Sequence, residues 1–118
     1  MRHLPSSPEL WLARQLCLNH EAWIVGSAAL PDVDFDHVKD VDILVPWARW
    51  HRAAGLLLPL SPKPNSLGGW HVSVERSVGE PLLYDVWPGD LTFLAGQPRF
   101  RAAWCPEKGM RLLVDREA

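Results

Sequence analysis

The segment that most constrains the fold is the run DVDILV at residues 40–45, in which acidic and apolar side chains alternate. The period of two and the β-branched residues predict a strand. Successive side chains of a strand point to opposite faces, so Asp40 and Asp42 must share one face while Val41 and Ile43 occupy the other. We therefore expect a sheet that brings two carboxylates together on one face.

Two carboxylates this close repel each other and raise a pKa unless a cation neutralises them, and carboxylate oxygens favour a hard divalent ion such as Mg²⁺. Asp85 repeats the pattern inside the apolar run LLYDVW at residues 82–87, where an unpaired carboxylate would be expensive to bury. The alternatives are a merely solvated strand face for Asp40 and Asp42, and a buried salt bridge to an arginine for Asp85. We expect the three aspartates to lie on adjacent strands and to hold two metal ions.

A glycine turn precedes these aspartates. The apolar run at residues 22–25 ends at Gly26-Ser27, and the next three residues favour a helical turn, which together predict strand, tight turn and helix. Glycine permits close approach of the backbone to a ligand, and a helix start presents free N–H groups. We therefore predict that this turn binds the phosphate groups of a ligand.

The whole sequence predicts a single domain over residues 1–118, of the α/β (α+β) class. We expect a mixed sheet with a helix on each side of the early strands. A helix is predicted over 8–19, started by Ser6-Ser7-Pro8-Glu9, and its buried stripe consists of Leu10, Leu12, Ala13, Leu16 and Cys17. A second helix is predicted over 47–58, followed by a loop over 59–69. The remaining predicted elements are a hairpin of strands 70–75 and 82–87, a short helix near 90–95 and a strand near 110–114.

Composition places the chain among ordinary globular proteins, with 47% hydrophobic and 22% charged residues. It has neither a secretory signal pattern nor an apolar run long enough to span a membrane, so we expect a cytoplasmic protein without membrane contact. Two cysteines without CxxC spacing predict buried, reduced thiols. Most of the seven tryptophans are expected in the core, with one or two available to stack on a base or cover a partner interface.

Charge is distributed unevenly along the chain. Asp32, Asp34 and Asp36 precede the aspartate strand, and an EF-hand there fails because His37 and Ile43 occupy the positions that require Gly and Glu. A solvated acidic loop is the simpler interpretation. The basic tail after residue 98 is interpreted as a solvated face, and the scattered histidines as surface residues.

The ordered segments VGSAAL, KDVDILV and LYDVWP, within residues 22–88, resemble the nucleotidyltransferase superfamily with its DNA polymerase beta-like fold. They are most similar to small bacterial minimal nucleotidyltransferases and to the toxin enzymes of abortive-infection and toxin–antitoxin systems. Such relatives commonly have Ser before the first acid, where this chain has Lys39.

The resemblance implies transfer of a nucleoside monophosphate from a nucleoside triphosphate to a hydroxyl of RNA, protein or a small molecule. Asp40 and Asp42 would bridge two Mg²⁺ ions and Asp85 would bind the nucleophile-side ion, as the catalytic and metal-binding residues. Gly26, Ser27 and Lys39 would bind the nucleotide. Arg49 and Arg52 are further candidates to neutralise charge. Two alternatives stay open: a non-catalytic regulator of this fold acting on a larger partner, and a metal-dependent nuclease.

Overall fold

A computed structural model describes residues 10–29, 33, 38–76, 79–90, 96–106 and 109–117. Within them, two helices and seven strands form a mixed α/β arrangement, as the sequence predicts. The helices are α1 (Trp11–Asn19) and α2 (Trp47–Leu57), and the strands are β1 (Trp23–Val25), β2 (Asp40–Pro46), β3 (Lys63–Pro64), β4 (Trp70–Val74), β5 (Leu82–Gly89), β6 (Phe100–Cys105) and β7 (Met110–Asp115). Short 3₁₀ helices cover Gly26–Ala29 and Leu58–Leu60.

All seven strands belong to one sheet with the order β3-β4-β5-β2-β1-β7-β6. The β2–β5 and β1–β7 pairs are parallel, and the other neighbours are antiparallel. The predicted hairpin of β4 and β5 is confirmed. The three strands that carry the motifs, β1, β2 and β5, are therefore adjacent at the centre of the sheet.

The core lies on one face of this sheet. The predicted stripe of α1 is confirmed, since Leu10, Leu12, Ala13, Leu16 and Cys17 are all buried. The stripe belongs to the same hydrophobic cluster as Ala53 and Leu57 of α2 and the inward residues of β1, β2 and β5. Both helices thus cover the same face, and the expected helix on each side is wrong. The physical reason is that Val41, Ile43 and Val45 need an apolar cover, whereas the carboxylates of the opposite face do not.

The sequence missed β3 and β6. Strand β3 is only two residues long inside a proline-rich segment, and β6 is an edge strand whose side chains are mostly exposed, so neither has the alternation that marks a half-buried strand. The helix start at residues 6–9, the acidic loop aspartates 32, 34 and 36, and residues 91–95 of the helix expected near 90–95 lie outside the described residues.

The burial of the tryptophans differs most from the sequence-based expectation, which placed most of them in the core. None of the seven is fully buried, and Trp11, Trp47 and Trp104 are 46%, 66% and 50% exposed. Trp50 and Trp70 pack against the edge of the core. Both cysteines are free and buried, as predicted. In the part of the chain that the structure describes, no helix has the length and apolar character needed to cross a membrane.

Candidate functional site

The site is built on the register between β2 and β5. In this parallel pair Asp42 lies directly opposite Asp85, and Asp40 lies opposite Leu83. Neighbouring strands are about 4.8 Å apart, so the backbones at Asp42 and Asp85 are adjacent and their side chains share one face. Asp40, two residues before Asp42, lies on that face as well. The structure therefore brings the three predicted aspartates to one patch of the sheet, which we call the carboxylate patch.

Electrostatic repulsion acts within the carboxylate patch. Asp42 is half-buried, and its pKa is raised first by desolvation and then by the negative charges of Asp40 and Asp85. Both causes disfavour the ionised form of Asp42. A cation bound beside this side chain would offset the repulsion and favour ionisation.

The glycine turn lies directly against this carboxylate. Gly26 has φ of +71°, and a Cβ placed on it would stand 2.8 Å from Oδ2 of Asp42. The left-handed conformation favours glycine, and a Cβ would fit here only if the carboxylate of Asp42 moved. The turn continues as a 3₁₀ helix over Gly26–Ala29 where the sequence predicted the first turn of a helix. Ser27 follows Gly26 in this turn, but its side chain lies outside the described part of the structure.

The candidate basic residues are placed differently from one another. Lys39 is exposed immediately before β2, and its carbonyl oxygen accepts a hydrogen bond from the Leu83 N–H at 3.1 Å. Arg49 and Arg52 lie on α2, which follows the opposite end of β2 and packs on the core face. Arg49 pairs there with Glu21 at 3.3 Å. Lys39 is thus next to the carboxylate patch in the chain, and the two arginines are beyond the far end of the strand.

Two residues near Asp85 were missed by the sequence interpretation. His71 lies opposite Asp85 across the hairpin, with Nδ1 3.4 Å from Oδ1, and the amide Nδ2 of Asn65 donates to the same oxygen at 3.4 Å. Oδ1 of Asn65 in turn accepts the N–H groups of Leu67 and Gly69, which fixes the amide. Within the described part of the chain, Asp85 thus contacts a histidine and an asparagine, whereas the alternative expected from the sequence was a salt bridge to an arginine. His71 is exposed, as expected, yet it borders the carboxylate patch.

The chemistry of the donor set suits a hard cation, since carboxylate oxygens are the ligands that Mg²⁺ prefers. Among the described residues, no group of three or more His, Cys, Asp or Glu side chains is already arranged to hold a metal ion. The carboxylate patch offers the oxygen ligands that Mg²⁺ prefers, and the pKa of Asp42 at its centre is raised.

No protein-family model, curated protein sequence or solved structure matches the chain. The residues that the structure describes form a mixed α/β fold with one seven-stranded sheet, and a fold does not by itself define a function. Any function must be argued from the carboxylate patch, the glycine turn and the surfaces around them.

Proposed function

We propose that this chain is a metal-dependent nucleotidyltransferase, which moves a nucleoside monophosphate from a nucleoside triphosphate to an acceptor hydroxyl. The observation that carries the proposal is the convergence of two separate sequence motifs on Asp42. Asp85 lies beside it on one neighbouring strand, and Gly26 approaches its carboxylate from the end of the other. The resemblance of the ordered motifs to the nucleotidyltransferase superfamily supports the same assignment.

In this proposal Asp40, Asp42 and Asp85 would hold Mg²⁺. When bound, the metal would activate the attacking oxygen and neutralise negative charge on the triphosphate. The chain itself supplies the position of the reactants: the backbone N–H groups around Gly26 and Ser27 bind the outer phosphates, and Lys39 contributes positive charge at the edge of the patch. His71 and Asn65 hold the carboxylate of Asp85 in place from the other side.

The reaction forms a bond between the acceptor oxygen and the α-phosphorus and breaks the bond between that phosphorus and the oxygen bridging to the β-phosphate. The electron pair leaves with pyrophosphate, and the proton of the acceptor hydroxyl passes to water. Because water on the same phosphorus would produce hydrolysis instead, the acceptor must be positioned close to the carboxylate patch.

The direct test is transfer of label from each of the four α-³²P ribonucleoside triphosphates in Mg²⁺, with total cellular RNA and total protein as acceptors. We expect labelling by the wild type and its loss in Asp42→Asn. Replacing this half-buried, repelled carboxylate by an amide should leave the fold at least as stable at neutral pH, so lost labelling would not reflect unfolding.

A matched control removes a negative charge away from the patch. Glu75 is exposed just after β4, and Glu75→Gln should label as the wild type does. If the folded wild type binds neither Mg²⁺ nor any nucleotide by calorimetry, the proposal is wrong. A stable protein complex formed without nucleotide would instead favour the regulatory alternative.

A further inference from the structure

Beside the carboxylate patch lies a two-lobed depression walled by tryptophans, which we call the indole cleft. Its larger lobe, about 520 Å³, is lined by Glu21, Trp23, Trp47, Asp90 and Arg111 among others. The smaller lobe, about 410 Å³, is lined by Trp23, Trp104 and Arg111 with two alanines. Trp23 and Arg111 border both lobes, so the two lobes adjoin each other, and each has a volume within the range of small-molecule sites in proteins.

The strand register fixes where the cleft lies relative to the carboxylates. Trp23 of β1 is paired with Leu44 of β2, which is two residues beyond Asp42 and on the same face. At about 3.3 Å per residue, the near wall of the cleft is roughly 7 Å along the strand from Asp42. The far wall at Pro46 and Trp47 is about two to three residues further on. The cleft is therefore next to the carboxylate patch along the central strand.

Arg111 gives the cleft its chemical character. Its backbone donates a hydrogen bond to the buried Cys17 thiol, which ties this part of β7 to α1 on the core face. Arg111 is half-buried, its side chain belongs to the opposite face of the strand, and the residue lines the smaller lobe together with Trp23 and Trp104. A guanidinium and indole rings together favour a flat, electron-rich ligand by stacking and cation–π attraction.

The carboxylates of Glu21, which Arg49 contacts at 3.3 Å, and of Asp90 lie on the rim of the larger lobe, and a carboxylate can accept several hydrogen bonds at once. We propose that the indole cleft binds a nucleobase, with its ring stacked on indole and its polar edge toward these charged groups. The choice of a nucleobase over other flat heteroaromatic rings rests on the proposed function, because the cleft adjoins the patch that would hold the triphosphate. The base could belong to the nucleoside triphosphate or to a single-stranded RNA acceptor.

The test uses the full chain with 5-fluorotryptophan in place of tryptophan, followed by ¹⁹F NMR. Seven resonances are expected, and replacing each tryptophan by phenylalanine in turn assigns them. ATP, GTP, CTP and UTP, a single-stranded RNA oligonucleotide, and ribose 5-triphosphate as the base-free control are each added without divalent metal. We expect base-containing ligands to shift the signals of Trp23, Trp47 and Trp104 and to leave that of Trp11 in place.

Affinity measurements then test the stacking itself. Trp104→Ala should weaken binding of the base-containing ligand by about fivefold to a hundredfold, the range measured for removing one stacking ring. Trp11→Ala is the matched control, because Trp11 is similarly exposed but lies on α1 at the core face, and it should bind as the wild type does. Stronger binding of triphosphates than of RNA assigns the base to the nucleotide, and the reverse order assigns it to the acceptor.

The inference is overturned if base-containing ligands shift no cleft tryptophan, if ribose 5-triphosphate shifts the same signals equally, or if Trp104→Ala binds as tightly as Trp11→Ala. Its failure is separable from failure of the proposed function. Base binding in the cleft without Mg²⁺-dependent labelling would support the cleft and refute the enzyme. Labelling that survives Trp104→Ala with unchanged nucleotide and acceptor affinity would support the enzyme and refute the cleft.

Discussion

The contact between Gly26 and Asp42 can be tested by adding a single methyl group. Gly26→Ala places an L side chain at φ of +71°, a left-handed conformation that costs about 1–2 kcal/mol. The new Cβ would stand 2.8 Å from Oδ2 of Asp42, so that carboxylate must rotate away. Rotation about χ2 costs little, because this torsion is broad in Asp, whereas moving χ1 off its rotamer costs about 0.5–1.5 kcal/mol. We therefore expect Gly26→Ala to lower the free energy of unfolding by about 1–3.5 kcal/mol, depending on which torsion of Asp42 moves.

Two other glycines separate these contributions. Gly68 has φ of +82° but open space where a Cβ would lie, so Gly68→Ala should lose only the backbone part, about 1–2 kcal/mol. Gly55 lies inside α2, also with open space around it and without a left-handed backbone. Gly55→Ala should stabilise the protein by about 0.5–1 kcal/mol, because alanine is the better helix former.

Urea unfolding followed by circular dichroism measures all three variants, with thermal unfolding as a second method at about 4 °C per kcal/mol for a chain of this size. In an Asp42→Ala background the loss caused by Gly26→Ala should fall to that of Gly68→Ala, since the contacting oxygen is gone. A Gly26→Ala variant as stable as the wild type, or one whose loss exceeds that of Gly68→Ala and is unchanged in the Asp42→Ala background, would refute the contact.

Three further measurements test the fold. The pKa of His20 is lowered, first by burial and then by neighbouring arginines, so the unfolded chain binds the proton more tightly. Stability should then fall as the pH drops through about 6.5, and His20→Gln should reduce that loss by less than about 1 kcal/mol in urea titrations. Burial raises the pKa of Cys17 to about 11, so Cys17 should not react with a thiol reagent at pH 8 until urea unfolds the chain. Leu57→Ala should cost about 2–5 kcal/mol and Leu58→Ala less than about 0.5, because the first side chain is fully buried and its neighbour is 69% exposed; equal losses in urea would contradict the placement of α2.

The elements with a clear period could be predicted from the sequence. The alternation at residues 40–45 gives β2 and the shared face of Asp40 and Asp42, and the stripe of α1 gives its buried face. The side of the sheet on which each helix packs depends on tertiary contacts, which periodicity does not encode. The edge strand β6 was missed because it buries few side chains.

The environment of Asp85 shows why part of the site could not be predicted. His71 reaches it only through the register of the hairpin, and the seven residues between β4 and β5 are too many for a turn type to fix that register. Asn65 comes from a segment that looks like a loop by composition. The tryptophans were assigned to the core on hydrophobicity alone, although an indole is large and amphipathic and often remains partly exposed.

The site depends on the two neighbours of β2, because β1 runs antiparallel to it on one side and β5 runs parallel to it on the other. Antiparallel β1 places Val25 opposite Asp42, so the chain turns at Gly26 beside that carboxylate, while parallel β5 places Asp85 on its other side. A slip of one residue in either pairing would move one partner to the core face, so packing of the core also enforces the convergence. If the protein bound a partner only through its tryptophan surface, it would not need a carboxylate at position 42. A neutral residue there would remove the repulsion among the three aspartates. The repulsion around Asp42 is the feature that the proposed cation would offset, and Mg²⁺ binding measured by calorimetry tests it.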